Sequence, residues 1–148
     1  MHKIAEIKIS YTSNKLVHDK IKSSSEAYKL FLNNWNLKTM EFQEEFKIIL
    51  LNRANEPLGI YPLSKGGTAG TVVDSKILFS VALKCHASGV ILAHNHPSGN
   101  KNPSGEDISI TKSLIEGGKL LDVTILDHII LTNEGYFSFA DSGMMNIN

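Results

Sequence analysis

Apolar and polar residues alternate with two different periods along the chain, which predicts a mixture of strands and helices. The nearly continuous apolar runs at 46–51 and 90–93 are typical of strands that are buried on both faces. Apolar side chains at helical spacing predict a helix over residues 75–86 and another that begins near Ser104. Serines at 23–25 supply capping oxygens for an earlier helix. Because the two kinds of element alternate, we expect an α/β fold in which they form separate layers.

The other predicted strands depend on shorter signals. The polar turn at 52–56 lies between two apolar runs, so we expect a hairpin that returns through residues 58–61. Residues 5–11 alternate apolar and polar side chains, which predicts a strand with one buried face. The remaining strand predictions are 123–126, 129–131 and, after a turn at 133–135, residues 136–139.

Composition narrows the class of protein. The 148 residues suit one domain, and 42% of them are hydrophobic, which is enough for a core. The 15 basic and 15 acidic side chains give a net charge of zero, so we expect no global attraction to nucleic acid or membranes. Cys85 is the one cysteine, which excludes an internal disulfide and favours a reducing compartment. With apolar runs too short to cross a bilayer, the sequence predicts a cytoplasmic protein without a membrane partner.

The residues with the clearest chemistry lie just after the predicted strand 90–93. His94 and His96 are two positions apart, so on an extended segment both imidazoles point to the same side. Asn95 then points away from them and can shape the loop. Asp107 lies in the first turn of the next predicted helix, which can fold its carboxylate back onto the imidazoles. Two histidine nitrogens and one carboxylate leave a fourth position for water, which is the ligand arrangement of catalytic zinc sites.

A catalytic zinc site also requires a general base. Glu44 lies just before the strand 46–51, and it can face the metal if that strand is a neighbour of 90–93 in the sheet. Ser104 can donate a hydrogen bond to a developing oxyanion. The same ligand set also suits Fe(II) oxygenases, but a glutamate base and a serine donor fit hydrolysis better.

Spacing alone leaves structural explanations open for these residues. An H-x-H pair occurs by chance in surface loops, and Ser104 with Asp107 has the outline of a helix capping box. Glu44 and Glu45 lie in an acidic stretch that can simply be solvated. The pair Asp127-His128 can orient a metal ligand from behind, but the favoured interpretation is that the two satisfy each other or the backbone inside the sheet.

The order His94-x-His96-Pro97, six residues, Ser104-x-x-Asp107 resembles the JAMM motif of JAB/MPN metallo-domains and matches it at every required position. The surrounding sequence is similar to the RadC-like branch of that family from about Met40 to Gly143. The stretches that carry this similarity are Gln43–Phe46, Leu50–Asn52, the loop 66–71, Ile91–Gly99 and Leu126–Ile130.

The resemblance implies a three-layer α/β/α fold with a mixed sheet, of the cytidine-deaminase-like kind. It implies one zinc ion per chain, with these site residues: His94, His96 and Asp107 as ligands, Glu44 as general base and Ser104 as oxyanion donor. The preference for Glu44 over Glu45 depends on its offset from Phe46. The known activity among JAMM relatives is metallopeptidase, often on isopeptide bonds. We therefore expect a zinc-dependent hydrolase of a peptide, isopeptide or other amide.

The same resemblance bears on domain organisation and partners. We expect residues 40–148 to form the JAB/MPN domain and residues 1–39 to form a strand–helix extension packed on its core. RadC-like proteins carry a DNA-repair label, so the alternative is a DNA-repair or mobile-element module that contacts DNA or DNA-processing proteins with little or no catalysis. Longer members have a helix-hairpin-helix segment before this domain. The region before Met40 lacks its glycine-hairpin signature, which weakens the expectation of DNA contact.

Overall fold

A mixed five-stranded sheet forms the centre of the computed structural model, which describes residues 3–13, 19–67 and 71–146. No helix in these ranges is long and apolar enough to cross a membrane. In chain order the elements are α1 (Ser24–Leu32), a 3-10 helix (Leu37–Thr39), β1 (Glu45–Leu51), β2 (Pro57–Lys65), α2 (Ser75–Lys84), β3 (Gly89–Asn95), α3 (Gly105–Leu120), β4 (Thr124–Thr132) and β5 (Gly135–Ser138).

The strands lie in the order β2-β1-β3-β4-β5. β1 and β2 form the predicted antiparallel hairpin, and β5 pairs back on β4 as predicted. β1 is also antiparallel to β3, so the two most apolar strands are neighbours near the middle of the sheet. β3 and β4 are parallel, and α3 connects them, because parallel strands require a crossover. These pairings confirm the predicted mixed sheet.

Helices cover both faces of the sheet, which confirms the predicted three-layer α/β/α fold. On one face, Leu78 of α2 and Leu114 of α3 share a core with Ile48 of β1. On the opposite face, Phe31 of α1 shares a second core with Ile49 of β1. Because successive strand residues point to opposite faces, β1 needs an apolar side chain at nearly every position.

The end of α3 lies very close to the start of β4. A Cβ atom on Gly118 would stand 2.2 Å from the carbonyl oxygen of Val123, so no other residue fits there without a backbone shift. The backbone N–H of Val123 donates to the carbonyl of Gly118 at 2.9 Å. Glycine at this position therefore seats α3 against the sheet, and the first turn of α3 carries Asp107.

The segment 5–11 is not a strand, so that prediction was wrong. Two of the side chains expected to face inward are exposed, Ile7 by 87% and Ile9 by 73%. Alternation shows which side chains a strand would bury, but a strand also needs a neighbour that supplies backbone hydrogen bonds. None of the five described strands pairs with this segment. The predicted helix that follows is present as α1, and it packs on the sheet through Ala27 and Phe31.

The glycine-containing loop, expected over residues 64–71, is described only in part, and its first two residues belong to β2. β2 continues through Lys65, two residues beyond the last apolar side chain of its strand. Residues 68–70 of the loop lie outside the described residues.

Candidate metal centre

The end of β3 brings the two predicted histidine ligands to one point. The Nε2 atoms of His94 and His96 are 2.9 Å apart. His94 is buried beneath the ring of Phe46, which stacks on its imidazole with the centroids 5.7 Å apart. His96 is only partly buried. The two imidazoles therefore present the same ring nitrogen to a shared position at the surface.

The carboxylate of Asp107 reaches both histidines from the first turn of α3. Its Oδ1 lies 3.3 Å from Nε2 of His94, and its Oδ2 lies 3.1 Å from Nε2 of His96. The same residue completes the capping box: Ser104 N donates to Oδ2 at 2.9 Å, and Asp107 N donates to the Ser104 hydroxyl at 3.0 Å. Capping and contact with the histidines are therefore compatible, since the cap holds the carboxylate in place.

The two neighbouring glutamates have different surroundings. Glu44 is buried, and its Oε1 lies 3.6 Å from Nε2 of His94. The position follows from the pairing of β1 with β3, in which Phe46 is opposite His94. Glu45, on the other hand, forms an ion pair with Lys65 of β2 at 3.5 Å. The structure thus brings Glu44 to the histidines and directs Glu45 toward the hairpin.

These groups fit a divalent metal ion. Glu44, His94 and His96 each offer one ligand atom, and those atoms lie within 4.8 Å of one another. Asp107 adds carboxylate oxygens within 3.3 Å of both Nε2 atoms. Ligand atoms around a tetrahedral ion at about 2.1 Å lie roughly 3.3–3.5 Å apart. Small outward adjustments would therefore accommodate an ion between the two imidazoles and a carboxylate.

The two carboxylates of the cluster have opposite electrostatics. Burial raises the pKa of Glu44, and the attraction of His94 and His96 offsets this only in part. Burial also acts to raise the pKa of Asp107, but the close contacts with both histidine rings dominate and hold that pKa far below its usual range. Asp107 is thus a fixed anion, whereas Glu44 can take up a proton much more readily.

The pKa of His96 depends on the same carboxylate. Burial acts to lower this pKa, but the hydrogen bonds to Asp107 and to the Asn100 carbonyl outweigh it, so the pKa is raised. The Nδ1 atom of His96 lies 2.6 Å from that carbonyl oxygen. Because a carbonyl only accepts, Nδ1 carries the proton, and the Nε2 lone pair of neutral His96 is directed to the cluster.

Asn95 lies between the two histidines in sequence and holds the base-bearing segment in place from the other side. Its amide oxygen accepts from Glu45 N at 2.7 Å. Its amide nitrogen donates to the carbonyls of Met40 and Gln43 at 2.7 and 2.9 Å. The side chain is fully buried. The prediction that Asn95 shapes a loop understates its role, because these three bonds tie the segment that carries Glu44 to β3.

The side chains of Asp127 and His128 contact different parts of the molecule. The Asp127 carboxylate accepts from Ser138 Oγ and Ala140 N at 2.7 and 2.9 Å, so it anchors the chain around β5, as favoured for a structural residue. The His128 ring instead contacts His94, with Nε2 2.7 Å from Nδ1 of the candidate ligand. Burial, followed by the neighbouring imidazole of His94, lowers the pKa of His128. His128 is therefore neutral.

An open cleft of about 710 Å³ gives access to the cluster. Ser104 lines this cleft, and its hydroxyl accepts a bond from Asp107 N while retaining its own proton for donation. The cleft also has apolar walls, which include Val73, Pro97 and Ile110.

Comparison with known proteins gives consistent matches. The family model described as RadC-like JAB domain matches residues 21–144. A UPF0758 protein of Flavobacterium johnsoniae is 50% identical over 101 residues, which cover 68% of this chain and 44% of that protein. A UPF0758 protein of Alkaliphilus metalliredigens is 41% identical over 138 residues, which cover 93% of this chain and 58% of the relative.

Other relatives extend the same pattern. A UPF0758 protein of Alkaliphilus oremlandii is 39% identical over 134 residues, which cover 90% of this chain and 56% of that relative. The chain thus spans about half the length of the curated relatives it matches. The matched range includes α1, the whole sheet and every residue of the cluster. The chain belongs to the RadC-like JAB domain family.

Proposed function

We propose that this chain is a zinc-dependent hydrolase of amide bonds, of the metallopeptidase or isopeptidase type. The observation that carries the proposal is the convergence of two imidazole nitrogens and the Asp107 carboxylate within 3.3 Å, with the Glu44 carboxylate 3.6 Å from His94. His94, His96 and Asp107 would hold one zinc ion, because a permanently ionised carboxylate is the better ligand. Zinc at that position supplies a Lewis acid and lowers the pKa of water.

Glu44 is proposed as the general base. Its carboxylate lies beside the ligands, and burial raises its pKa, which suits a group that must accept a proton from the attacking water and then release it to the leaving amine. The burial of Glu44 also keeps the side chain in one position. The ion pair of the neighbouring Glu45 with Lys65 of the hairpin supports the preference for Glu44.

Ser104 is proposed as the oxyanion donor. Its hydroxyl is held at the first turn of α3 by the capping bond from Asp107 N, and it lines the cleft beside the cluster. A donor fixed before the reaction costs little reorganisation when negative charge develops on the substrate oxygen. The combination of a base and a fixed donor favours hydrolysis over the Fe(II) oxygenase alternative.

The test is a matched pair of variants, Glu44→Gln and Glu45→Gln, assayed for amine release from a panel of peptides and lysine-linked isopeptides. We expect Glu44→Gln to bind zinc as the wild type does and to lose at least about 100-fold in turnover, which is the usual contribution of a general base. Glu45→Gln should remain within a few-fold of the wild type. Equal turnover by Glu44→Gln and wild type would contradict the assignment.

A further inference from the structure

Two histidine ligands need their outer ring nitrogens protonated, and the structure solves this problem differently for each. The acceptor for His96 Nδ1 is the backbone carbonyl of Asn100. The partner of His94 Nδ1 is another imidazole, that of His128, at 2.7 Å. An imidazole nitrogen can be either donor or acceptor, so this contact alone does not decide which nitrogen of His94 carries the proton.

The second contact of the His128 ring decides which nitrogen of His94 carries the proton. His128 Nδ1 lies 2.7 Å from the hydroxyl oxygen of Thr111, a residue of α3. That hydroxyl donates its single hydrogen to the backbone carbonyl of Asp107 at 2.6 Å. A carbonyl cannot donate, so the direction of this last bond is fixed, and Thr111 Oγ must accept the proton on His128 Nδ1.

The remaining protons follow in order. With its proton on Nδ1, neutral His128 accepts at Nε2, so His94 Nδ1 must be the donor. The lone pair of His94 is then at Nε2, the atom that faces His96 and Asp107. If these hydrogen bonds ran in the opposite direction, His94 Nε2 would carry the proton and could not coordinate a metal ion.

Packing holds the His128 ring in the orientation that this chain requires. The ring is fully buried. Phe139 stacks on it with the centroids 4.8 Å apart, and the ring of Phe46 is inclined to it by 62° with the centroids 5.5 Å apart. These contacts restrict rotation of the ring, so the contacts with His94 and Thr111 persist together.

We propose that Thr111 and His128 are positioning residues that select the metal-binding tautomer of His94, with the Asp107 carbonyl as the fixed end of the chain. This inference rests on the proposed function, since it concerns the same metal site. It connects two ligands through α3 and β4: the residue whose carboxylate binds the ion also sets, through its backbone, the proton on the first histidine.

The decisive variants are Thr111→Val and Thr111→Ser, tested by zinc affinity in competition with a chelator. Valine keeps the shape and removes the hydroxyl, so His128 loses its acceptor, and we expect zinc affinity to fall about 10- to 100-fold. Serine keeps the hydroxyl and should restore affinity to within about threefold of the wild type. Cobalt absorption spectra should change with valine and not with serine, since the spectrum reports ligand geometry rather than stability.

A second pair of variants changes the ring itself. In His128→Gln, the amide oxygen can take the place of Nε2 and accept from His94. In His128→Asn, the shorter side chain reaches only the Nδ1 position and leaves His94 unpaired. We therefore expect the glutamine variant to bind zinc at least about tenfold more tightly than the asparagine variant. Equal affinities in both pairs would overturn the inference.

A measurement on the unaltered protein avoids any failure of a variant to fold. Nitrogen chemical shifts of the His128 ring distinguish a protonated from an unprotonated nitrogen. We expect Nδ1 to carry the proton, and a proton on Nε2 would overturn the inference. If wild-type protein binds no zinc, the proposed function and this inference both fail. If wild type and Thr111→Val bind zinc equally well, this inference alone fails.

Discussion

Two cavities of similar size have different linings and differ in chemistry. The cleft over the metal centre has a volume of about 710 Å³, and a groove between β2 and α2 has about 610 Å³. The cleft collects side chains from β3, α3 and the segment before β1, and each of their clustered ionisable groups lies within 3.6 Å of an imidazole nitrogen. The groove is lined by apolar side chains such as Leu58 and Ile77, together with Cys85.

The difference shows that the volume of a cavity does not identify the reactive site in this protein. Burial raises the pKa of the Cys85 thiol, so that group remains protonated and inert. In the cleft, burial acts against neighbouring charges, and the two carboxylates are driven in opposite directions. A pair of titratable groups with diverging pKa values is the feature that marks an acid–base site.

The largest effect is expected from Asn95→Ala, which removes the buried amide behind the cleft. The change removes three hydrogen bonds to the backbone, two of them buried, so we expect the free energy of unfolding to fall by roughly 3–5 kcal/mol. Urea denaturation measures this value. The control is Asn133→Ala, at an exposed position where the side chain donates to Glu41, and there the loss should stay below about 0.5 kcal/mol. Similar losses for both variants would contradict the role of Asn95.

A smaller effect is expected from pH in metal-free protein. Burial acts to lower the pKa of His96, but the carboxylate of Asp107 outweighs it, so the folded-state pKa lies above the ordinary value of 6.5. The stabilisation is therefore fully present below pH 6.5 and is lost as the pH rises through the higher folded-state pKa. Thermal denaturation in the presence of a chelator should show lower stability on the alkaline side of this window.

The matched variant for the pH prediction is Asp107→Asn. Without the carboxylate, the raised pKa of His96 loses its main support, so the alkaline decrease in stability should shrink. Glu45→Gln serves as the control, because Glu45 pairs with Lys65 away from the cluster. An unchanged pH profile in Asp107→Asn would show that other groups cause the decrease.

The smallest effect is expected in the groove. Ile77→Ser changes a side chain that is 43% exposed, so we expect the free energy of unfolding to change by at most about 1 kcal/mol. Zinc affinity should equal that of the wild type, because no described residue lines both the groove and the cleft. A loss of zinc binding in Ile77→Ser would show that the two cavities are coupled and would contradict their independence.

Local sequence patterns predicted much of the fold. The apolar runs at 46–51 and 90–93 identified the central strands, because a strand covered on both faces needs apolar residues throughout. The alternation at 5–11 misled, since periodicity reports which side chains suit burial and carries no information on whether a neighbouring strand exists. Pairing between strands is a property of the tertiary structure.

The same limit applies to the candidate site. The spacing of His94 and His96 predicted that their side chains share one side, and the structure brings both to Asp107. The contact between His94 and His128 depends on the parallel pairing of β3 with β4, which no local pattern encodes. Asp107 showed a related ambiguity, because a capping residue and a metal ligand have the same spacing, and the structure shows that one carboxylate can make both sets of contacts.

The most direct test of the proposed zinc site is the metal content of the untagged protein, measured by elemental mass spectrometry beside His96→Ala and Asp107→Ala. We expect about one zinc per wild-type chain and loss of that zinc in both variants, since each removes one of three protein ligands. No zinc in the wild type, even after zinc is added back, would contradict the proposed hydrolase. The alternative of a DNA-contacting module would then be the leading hypothesis.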